Sequence, residues 1–178
     1  KGLIDDLLML SRISRPTEAF GEVDVAEVVA EVKTDMEFLI RKKNVDLRIA
    51  PDLPRVLGNV TQLKILFRHL LGNAVKFIEP GCLPHVRIWA ETRDDCVRLC
   101  FEDNGIGIPK EWQHRVFDMF QRLHRKEYEG TGIGLALARK IAARMDGRVG
   151  VDSEPGHGST FWLELHPAPA TRLDPNPA

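Results

Sequence analysis

The stretch VRIWAETRDDCVRLCFEDNGIG, residues 86–107, decides the fold predicted for this chain. Two runs in which apolar and polar residues alternate, 86–91 and 97–103, flank a turn around residue 94, and this pattern predicts an antiparallel hairpin. Alternate side chains of a strand share one face, so the second run buries an apolar face that ends in Asp103. Two of the chain's three cysteines, Cys96 and Cys100, fall on the other face of this strand and are interpreted as structural.

The segments on either side of this hairpin predict four helices and three further strands. Helices are expected over 24–43, 60–77, from about 110, and over 133–145, and strands over 45–49, 148–153 and 160–165. Consecutive strands pair as hairpins, so the sheet of about five strands should be mixed but mostly antiparallel, with three main helices on one face. The expected fold class is α/β, a two-layer α/β sandwich and not a doubly wound fold.

The two ends of the chain differ from this central domain. Residues 1–15 carry a wide apolar stripe that needs several neighbours, as in a helical bundle, and Pro16 ends the helix. The alternative is that this helix packs on the domain's own core. Residues 16–22 look like a linker, residues 23–166 form the domain, and the Pro-rich tail 167–178 is expected to be disordered.

Composition excludes several classes of protein. The 178 residues include 25 Lys and Arg and 26 Asp and Glu, and a net charge of −1 excludes a nucleic-acid binder that works by bulk charge. No apolar run approaches the roughly 18 residues that span a bilayer. Three cysteines are too few and too irregularly spaced for a disulfide framework or a zinc site, so a reducing compartment is expected.

Three glycine-rich segments are candidates for ligand binding. DNGIGIP, residues 103–109, starts where a strand ends, and its carboxylate could accept a hydrogen bond from the exocyclic amine of a base; a tight turn is the alternative. GTGIGL, residues 130–135, directly precedes a helix, and the N–H groups of a helix N-terminus bind phosphate. GHGST, residues 156–160, could be only a hairpin turn.

A polar row runs along the helix expected over 60–77. His69, Asn73 and Lys76 are spaced i, i+4 and i+7, so they share one face. Asn73 offers an amide oxygen suited to Mg²⁺, and Lys76 offers a point charge for phosphate. Taken alone, such a row is usually the solvated face of an amphipathic helix.

In combination these segments resemble the catalytic ATP-binding domain of sensor histidine kinases, within the gyrase, chaperone, histidine kinase and mismatch-repair ATPase superfamily. The resemblance covers about residues 22–166, and five motifs occur in the family's order. They are HLLGNAVKF (69–77), DNGIG (103–107), FDMF (117–120), GTGIGL (130–135) and GHGST (156–160). Residues 120–124 and 127–128 are similar to the phytochrome-like and PAS-linked branch.

The resemblance implies ATP and Mg²⁺ as cofactors and a role for each matched residue. His69, Asn73 and Lys76 would form the catalytic set, with Asn73 on the metal and Lys76 on a phosphate. Asp103 would bind the adenine amino group, with Thr160 helping through water. The remaining cofactor contacts would be Phe77, Gly105, Gly107, Ile108 and Leu135 at the pocket wall, Gly130, Thr131, Gly132 and Gly134 at the phosphates, and Arg122 and Arg125 in a mobile lid of about 110–129.

The resemblance also implies the reaction. His69 stands where hydrolytic superfamily members carry a water-activating Glu, which favours phosphoryl transfer to a protein over hydrolysis. None of the six histidines is followed by Asp or Glu, so the phosphoacceptor is expected on a dimerisation helix before residue 1, of which residues 1–15 look like the end.

The implied partners are that dimerisation domain, in a homodimer of the full-length protein, and a response regulator receiver domain, with no nucleic acid. No direct membrane contact is expected of this fragment, and the implied location is cytoplasmic. Two alternatives remain: a degenerate ATP-binding regulatory module, and a superfamily ATPase of the chaperone or topoisomerase type. The residue at position 69 and the short lid argue against the ATPase.

Overall fold

The computed structural model describes residues 20–93, 95–123, 128 and 130–169. The helix expected over 1–15, residues 16–19 of the expected linker and the tail from 170 lie outside the described residues and stay predictions. Residues 21 and 22, also predicted as linker, instead begin the first strand. The expected tail starts later than residue 167, because Pro167 forms a bridge with Val56.

The described part of the chain contains four α-helices and seven β-strands. The helices are α1 (Val25–Asp35), α2 (Glu37–Lys42), α3 (Val60–Lys76) and α4 (Gly134–Arg144). The strands are β1 (Gly21–Asp24), β2 (Asp46–Ile49), β3 (Arg55–Gly58), β4 (His85–Arg93), β5 (Cys96–Asp103), β6 (Arg148–Glu154) and β7 (Gly158–Leu165). Among these helices, none combines the length and the apolar character needed to cross a membrane.

The main sheet has five strands in the order β2-β4-β5-β7-β6. β2 runs parallel to β4, and the other neighbours are antiparallel. The predicted fold class, a mixed and mostly antiparallel sheet of five strands, is confirmed. The sequence did not predict the separate two-stranded sheet of β1 and β3, which pairs segments of only four residues each.

Three helices, α1, α3 and α4, bury their apolar faces against this sheet and against one another. Leu66 and Leu70 of α3 are fully buried, as is Ile141 of α4. The ring of Phe67 packs on Phe101 of β5 with the ring centroids 5.1 Å apart. The predicted two-layer arrangement is confirmed, and it leaves the ends of α3 and β5 near the start of α4.

Two predicted helices differ from the structure. The helix expected over 24–43 is interrupted at Met36, after Thr34 donates a hydrogen bond from its hydroxyl to the carbonyl of Ala30, a contact that bends helices. The short helix expected from about 110 is two 3₁₀ turns, Lys110–Trp112 and Arg115–Phe117.

The cap of α1 gives a first testable prediction. Asp24 Oδ1 accepts hydrogen bonds from the backbone N–H groups of Ala26 and Glu27, at 3.0 and 3.3 Å. Replacing Asp24 by Ala should lower the free energy of unfolding by about 1 kcal/mol in urea denaturation. Asp24→Asn is the matched control, because it keeps the capping oxygen and loses only the 3.6 Å ion pair with Arg55. Equal losses in the two variants would contradict the capping role.

Candidate nucleotide site

A pocket opens between α3, the loop after β5 and the segment that leads into α4. Thirteen of the residues predicted for the site line it: His69, Asn73, Lys76, Phe77, Asp103, Gly107, Ile108, Arg122, Gly130, Thr131, Gly132, Gly134 and Leu135. The structure thus brings the polar row on α3 and two of the three glycine-rich segments to one place. The third glycine-rich segment contributes through Ser159.

The helix α3 supplies one wall of the pocket. Asn59 caps it by accepting from the N–H of Gln62 at 2.9 Å, and the helix then presents His69, Asn73 and Lys76 on one face. A Cβ at Gly134 would lie 2.8 Å from Nδ1 of His69. The glycine at the start of α4 therefore leaves room for the His69 ring.

Asp103 ends the buried face of β5 and is itself buried, with 8% of its surface exposed. Its Oδ1 accepts from the N–H of Gly105 at 2.8 Å and from the N–H of Ser159 at 3.1 Å. Burial raises the pKa of this carboxyl to about 7, although the two backbone hydrogen bonds act in the opposite direction. Since both bonds use Oδ1, the carboxylate keeps Oδ2 for a ligand.

The first glycine-rich loop packs closely on its neighbours. Gly107 has a φ of +72°, and a Cβ there would lie 2.0 Å from the carbonyl oxygen of Glu154. Gly105 does not line the pocket, but a Cβ there would lie 2.4 Å from the carbonyl oxygen of Phe77. Glycines are therefore needed at both positions for the loop to reach the β6–β7 turn and the end of α3.

The opposite end of the pocket is built around the N-terminus of α4. The described residues provide no side-chain hydrogen bond that caps this helix, whose first residue is Gly134. The first N–H groups of a helix lack partners within it and attract anions. Lys76 lies beside this end, because its Nζ is 2.7 Å from the position that a Cβ would take at Gly130.

An aromatic contact closes the side of the pocket. Tyr128 packs on Phe77 with the ring centroids 5.1 Å apart, and its hydroxyl donates to the carbonyl of Ile78 at 3.0 Å. Arg122, a predicted phosphate contact, donates to the carbonyl of Tyr128 at 2.5 Å. Arg125, the second predicted contact, lies outside the described residues.

The structure anchors the first part of the segment 110–129 that was expected to form a lid. Phe117 is buried, and Asp118 forms a 3.0 Å ion pair with Arg139 of α4, so the residues before 120 are anchored. The backbone N–H of Phe120 also donates to the carbonyl of Gly132 at 2.9 Å. The lid stays a prediction for the residues after 120, of which 124–127 and 129 lie outside the described part.

The expected contribution of Thr160 requires a correction. Thr160 pairs with Glu102 and Asp152 in the sheet and does not line the pocket. Successive residues of a strand point to opposite faces, so its neighbours Ser159 and Phe161 line the pocket instead. Ser159 is opposite Asp103 in the register of β5 and β7.

Sequence reasoning also missed other residues of the pocket wall. They are Ile106, Val116, Ser159, Phe161, Gln121 and Leu123, and the role of Tyr128 in the wall was likewise not predicted. The register between β5 and β7 would have found Ser159 and Phe161. Ser159 is opposite Asp103, and residues two apart on a strand share a face, so Phe161 lies on the same face as Ser159. The sequence gives no comparable signal for the others.

The sequence model of the family described as histidine kinase-, DNA gyrase B-, and HSP90-like ATPase matches residues 58–169. The chain belongs to this family. The match runs from the last residue of β3 past the end of β7 and so includes the whole described pocket. The resemblance inferred from the motifs is confirmed.

Relatives within this ATPase family are sensor kinases and phytochrome-like proteins. The phytochrome-like protein Cph1 of Synechocystis sp. is 34% identical over 164 residues, which cover 92% of this chain and 22% of the relative. Sensor histidine kinase RcsC of Escherichia coli is 34% identical over 172 residues, which cover 92% of this chain and 18% of the relative. The chain thus spans about a fifth of the length of these curated relatives.

Solved structures give the same fold. Full-length ShkA in complex with AMPPNP is 29% identical, with a TM-score of 0.80 over 96% of this chain and 36% of that chain. The histidine kinase ThkA in complex with the response regulator protein TrrA is 26% identical, with a TM-score of 0.72 over 96% of this chain and 48% of that chain.

Proposed function

We propose that this chain is the ATP-binding catalytic domain of a two-component sensor histidine kinase and transfers the γ-phosphate of ATP to a histidine of a dimerisation domain. One observation carries the proposal: a single pocket is lined both by a buried carboxylate, Asp103, and by the uncapped N-terminus of α4. The first suits an amino group of a base, and the second suits phosphates.

The end of the pocket around Asp103 and Ile108, here called the base end, favours adenine. Asp103 offers an acceptor at Oδ2 when ionised, and the exocyclic amine of adenine is a donor. Ile108, Val116 and Phe161 supply an apolar wall for a flat ring. The ring would lie between the first glycine-rich loop and β7, with Ser159 rather than Thr160 beside Asp103.

The end of the pocket around Lys76 and the start of α4, here called the phosphate end, supplies positive charge and hydrogen-bond donors. Lys76, Arg122, Gly134 and Leu135 all line the pocket. The last two belong to the first turn of α4, whose N–H groups have no acceptor within the helix. Phosphoryl transfer depends on positioning and neutralisation of charge more than on covalent help from the protein. The chain's own residues would therefore hold the triphosphate in line with an incoming imidazole.

Magnesium fits this donor set as a partly hydrated ion. The described residues contain no cluster of three or more His, Cys, Asp or Glu side chains that could hold a metal by themselves. Mg²⁺ commonly keeps waters and takes one or two protein ligands together with the substrate's phosphates. Asn73 on α3 would be such a ligand, and the bound ion would neutralise the charge of the phosphates.

Replacing Asn73 by Ala should remove the metal dependence of nucleotide binding. In titration calorimetry, Mg²⁺ should raise the affinity of the unaltered chain for a non-hydrolysable ATP analogue by about tenfold, and have little effect on the variant. Asn73→Asp is the control, because it keeps an oxygen ligand and should keep the response to Mg²⁺. An unchanged metal response in Asn73→Ala would contradict the assignment.

The partners follow from the reaction. The ThkA structure holds a response regulator protein, and this chain shares its fold, so we propose a response regulator as the final phosphate acceptor. The histidine that receives the phosphate first would belong to a dimerisation domain of the same full-length protein, in the cytoplasm, where ATP is available.

The direct test is binding of the ATP analogue by the chain itself. Titration calorimetry with Mg²⁺ present should show one site per chain. Absence of binding would contradict the proposed function. Binding without transfer to a separately supplied dimerisation hairpin would favour the regulatory module.

A further inference from the structure

The hydroxyl of Ser153, at the end of β6, joins three segments of backbone around the base end of the pocket. Its Oγ lies 2.8 Å from the backbone nitrogen of Ile108 and 2.7 Å from the carbonyl oxygen of Gly158. It also lies 2.9 Å from Oγ of Ser159. One side chain thus links the first glycine-rich loop to both strands of the β6–β7 hairpin.

The directions of these bonds follow from the chemistry of a hydroxyl. A serine has one proton to donate and two lone pairs that accept. A carbonyl only accepts, so Ser153 donates to Gly158. It then accepts from the N–H of Ile108 and from the hydroxyl of Ser159, and its capacity is fully used.

Each of these partners positions a part of the candidate base site. Ile108 lines the pocket, while Ser159 lines it and donates its backbone N–H to Oδ1 of Asp103 at 3.1 Å. A Cβ at Gly158 would lie 2.0 Å from the carbonyl oxygen of Asp103. Small shifts of the hairpin would therefore move Asp103 and the apolar wall relative to each other.

Gln113 braces the same junction from the 3₁₀ turns. Its Nε2 donates to the carbonyl of Ile108 at 3.1 Å and to the carbonyl of Ser153 at 2.7 Å. Ile108 in the loop is therefore linked to the hairpin twice: its N–H bonds directly to Ser153, and its carbonyl shares the Gln113 side chain with the carbonyl of Ser153. Neither Ser153 nor Gln113 lines the pocket itself.

We infer that Ser153 is a positioning residue for the base end of the site, which acts through Ile108 and Ser159 on the pocket wall and on Asp103. The inference rests on the proposed nucleotide site. Loss of the hydroxyl leaves the N–H of Ile108 and the carbonyl of Gly158 without their partner, so the two walls lose their fixed separation. The hydrogen bonds of Ser153 and Gln113 run to Ile108, to Gly158 and Ser159 and to the backbone of Ser153 itself, all at the base end of the pocket. Lys76 and Gly134 line the pocket at its phosphate end.

Two ligands separate the base end from the phosphate end. Ser153→Ala should weaken binding of adenosine and of the Mg²⁺ complex of an ATP analogue by the same factor, about tenfold. The ratio of the two affinities, which measures the contribution of the phosphates, should stay unchanged. Both affinities are measured on the whole chain by calorimetry, with adenosine as a competitor.

Three further variants control the experiment. Ser153→Thr keeps the hydroxyl in a strand that favours β-branched residues and should restore most of the affinity. Asp152→Ala, at the exposed neighbouring position on β6, should have no effect. Gln113→Ala removes the second brace and should also weaken both ligands equally, which keeps the inference testable if Ser153→Ala does not fold.

The outcomes distinguish this inference from the proposed function. If the unaltered chain binds neither ligand, the proposed function is wrong. If it binds both, the inference is overturned when Ser153→Ala binds normally, when Ser153→Thr loses as much as Ser153→Ala, or when the ATP analogue is weakened more than adenosine.

Discussion

Replacing Asp103 by Asn should lower the affinity for ATP by about a hundredfold, since it removes a charged acceptor and sets an amide donor against the amine of adenine. The backbone bonds from Gly105 and Ser159 hold Oδ1, so the amide nitrogen takes the place of the oxygen that faces the ligand. Calorimetry with an ATP analogue measures the change. Glu102→Gln, on the exposed side of the same strand, is the matched control.

The same carboxylate should select against guanine. A purine with a carbonyl at the position of the amine sets two acceptors against each other, so the unaltered chain should prefer ATP to GTP by at least about tenfold. Asp103→Asn should reduce or reverse that preference. If GTP and ATP compete equally well for the unaltered chain, the assignment of Asp103 as the acceptor for the adenine amine is wrong.

The raised pKa of Asp103, about 7, makes this contact depend on pH. Only the ionised carboxyl accepts at both oxygens, so adenosine affinity should rise by about tenfold between pH 6 and pH 8. The effect on stability has the opposite sign. The folded chain holds this proton up to about pH 7, whereas the unfolded chain releases it near its ordinary pKa of 3.8. The free energy of unfolding should therefore fall as pH rises from about 4 to about 7 and should change no further above pH 7. In Asp103→Asn, both the pH dependence of adenosine affinity and this pH dependence of the free energy of unfolding should be absent.

Local patterns in the sequence predicted the parts of the site that a single element holds. The spacing of His69, Asn73 and Lys76 fixes a common face because one helix carries all three. Alternation along β5 likewise predicts that Asp103 ends a buried face, and the structure buries it. No knowledge of the rest of the fold is needed for either inference.

Pairings between distant segments could not be predicted in the same way. Thr160 was predicted to line the site, but the structure places Ser159 there instead, because the register of β7 against β5 decides which face each residue occupies. The short strands β1 and β3 stabilise each other by pairing. Residues that interact between them, such as Glu22 and Arg55, are 33 positions apart in the sequence. Neither strand has a strong alternation of apolar and polar residues that would predict it alone. The contact of Tyr128 with Phe77 depends on the path of the chain between them.

The largest expected difference is between phosphate transfer by the chain alone and transfer in the presence of a dimerisation domain, because the reaction needs a histidine that this site does not itself supply. Incubated alone with γ-labelled ATP, the chain should take up no acid-labile label. Among the described histidines only His69 lines the pocket, and helix α3 fixes it beside the residues that would hold the phosphates. His85 and His166 have carboxylate oxygens 3.1 and 3.4 Å from a ring nitrogen, but neither histidine lines the pocket.

A separately prepared dimerisation hairpin that carries a phosphoacceptor histidine should become labelled when it is mixed with the chain. Its imidazole nitrogen would bond to the γ-phosphorus as the bond to the bridging oxygen breaks and ADP leaves, which requires the imidazole to be in line. Transfer should be slow, because separate molecules lack the effective concentration that a covalent linkage provides. Asn73→Ala and a hairpin whose histidine is replaced by Ala should both give no label. Acid-labile label on the chain alone would contradict the assignment of the acceptor to another domain.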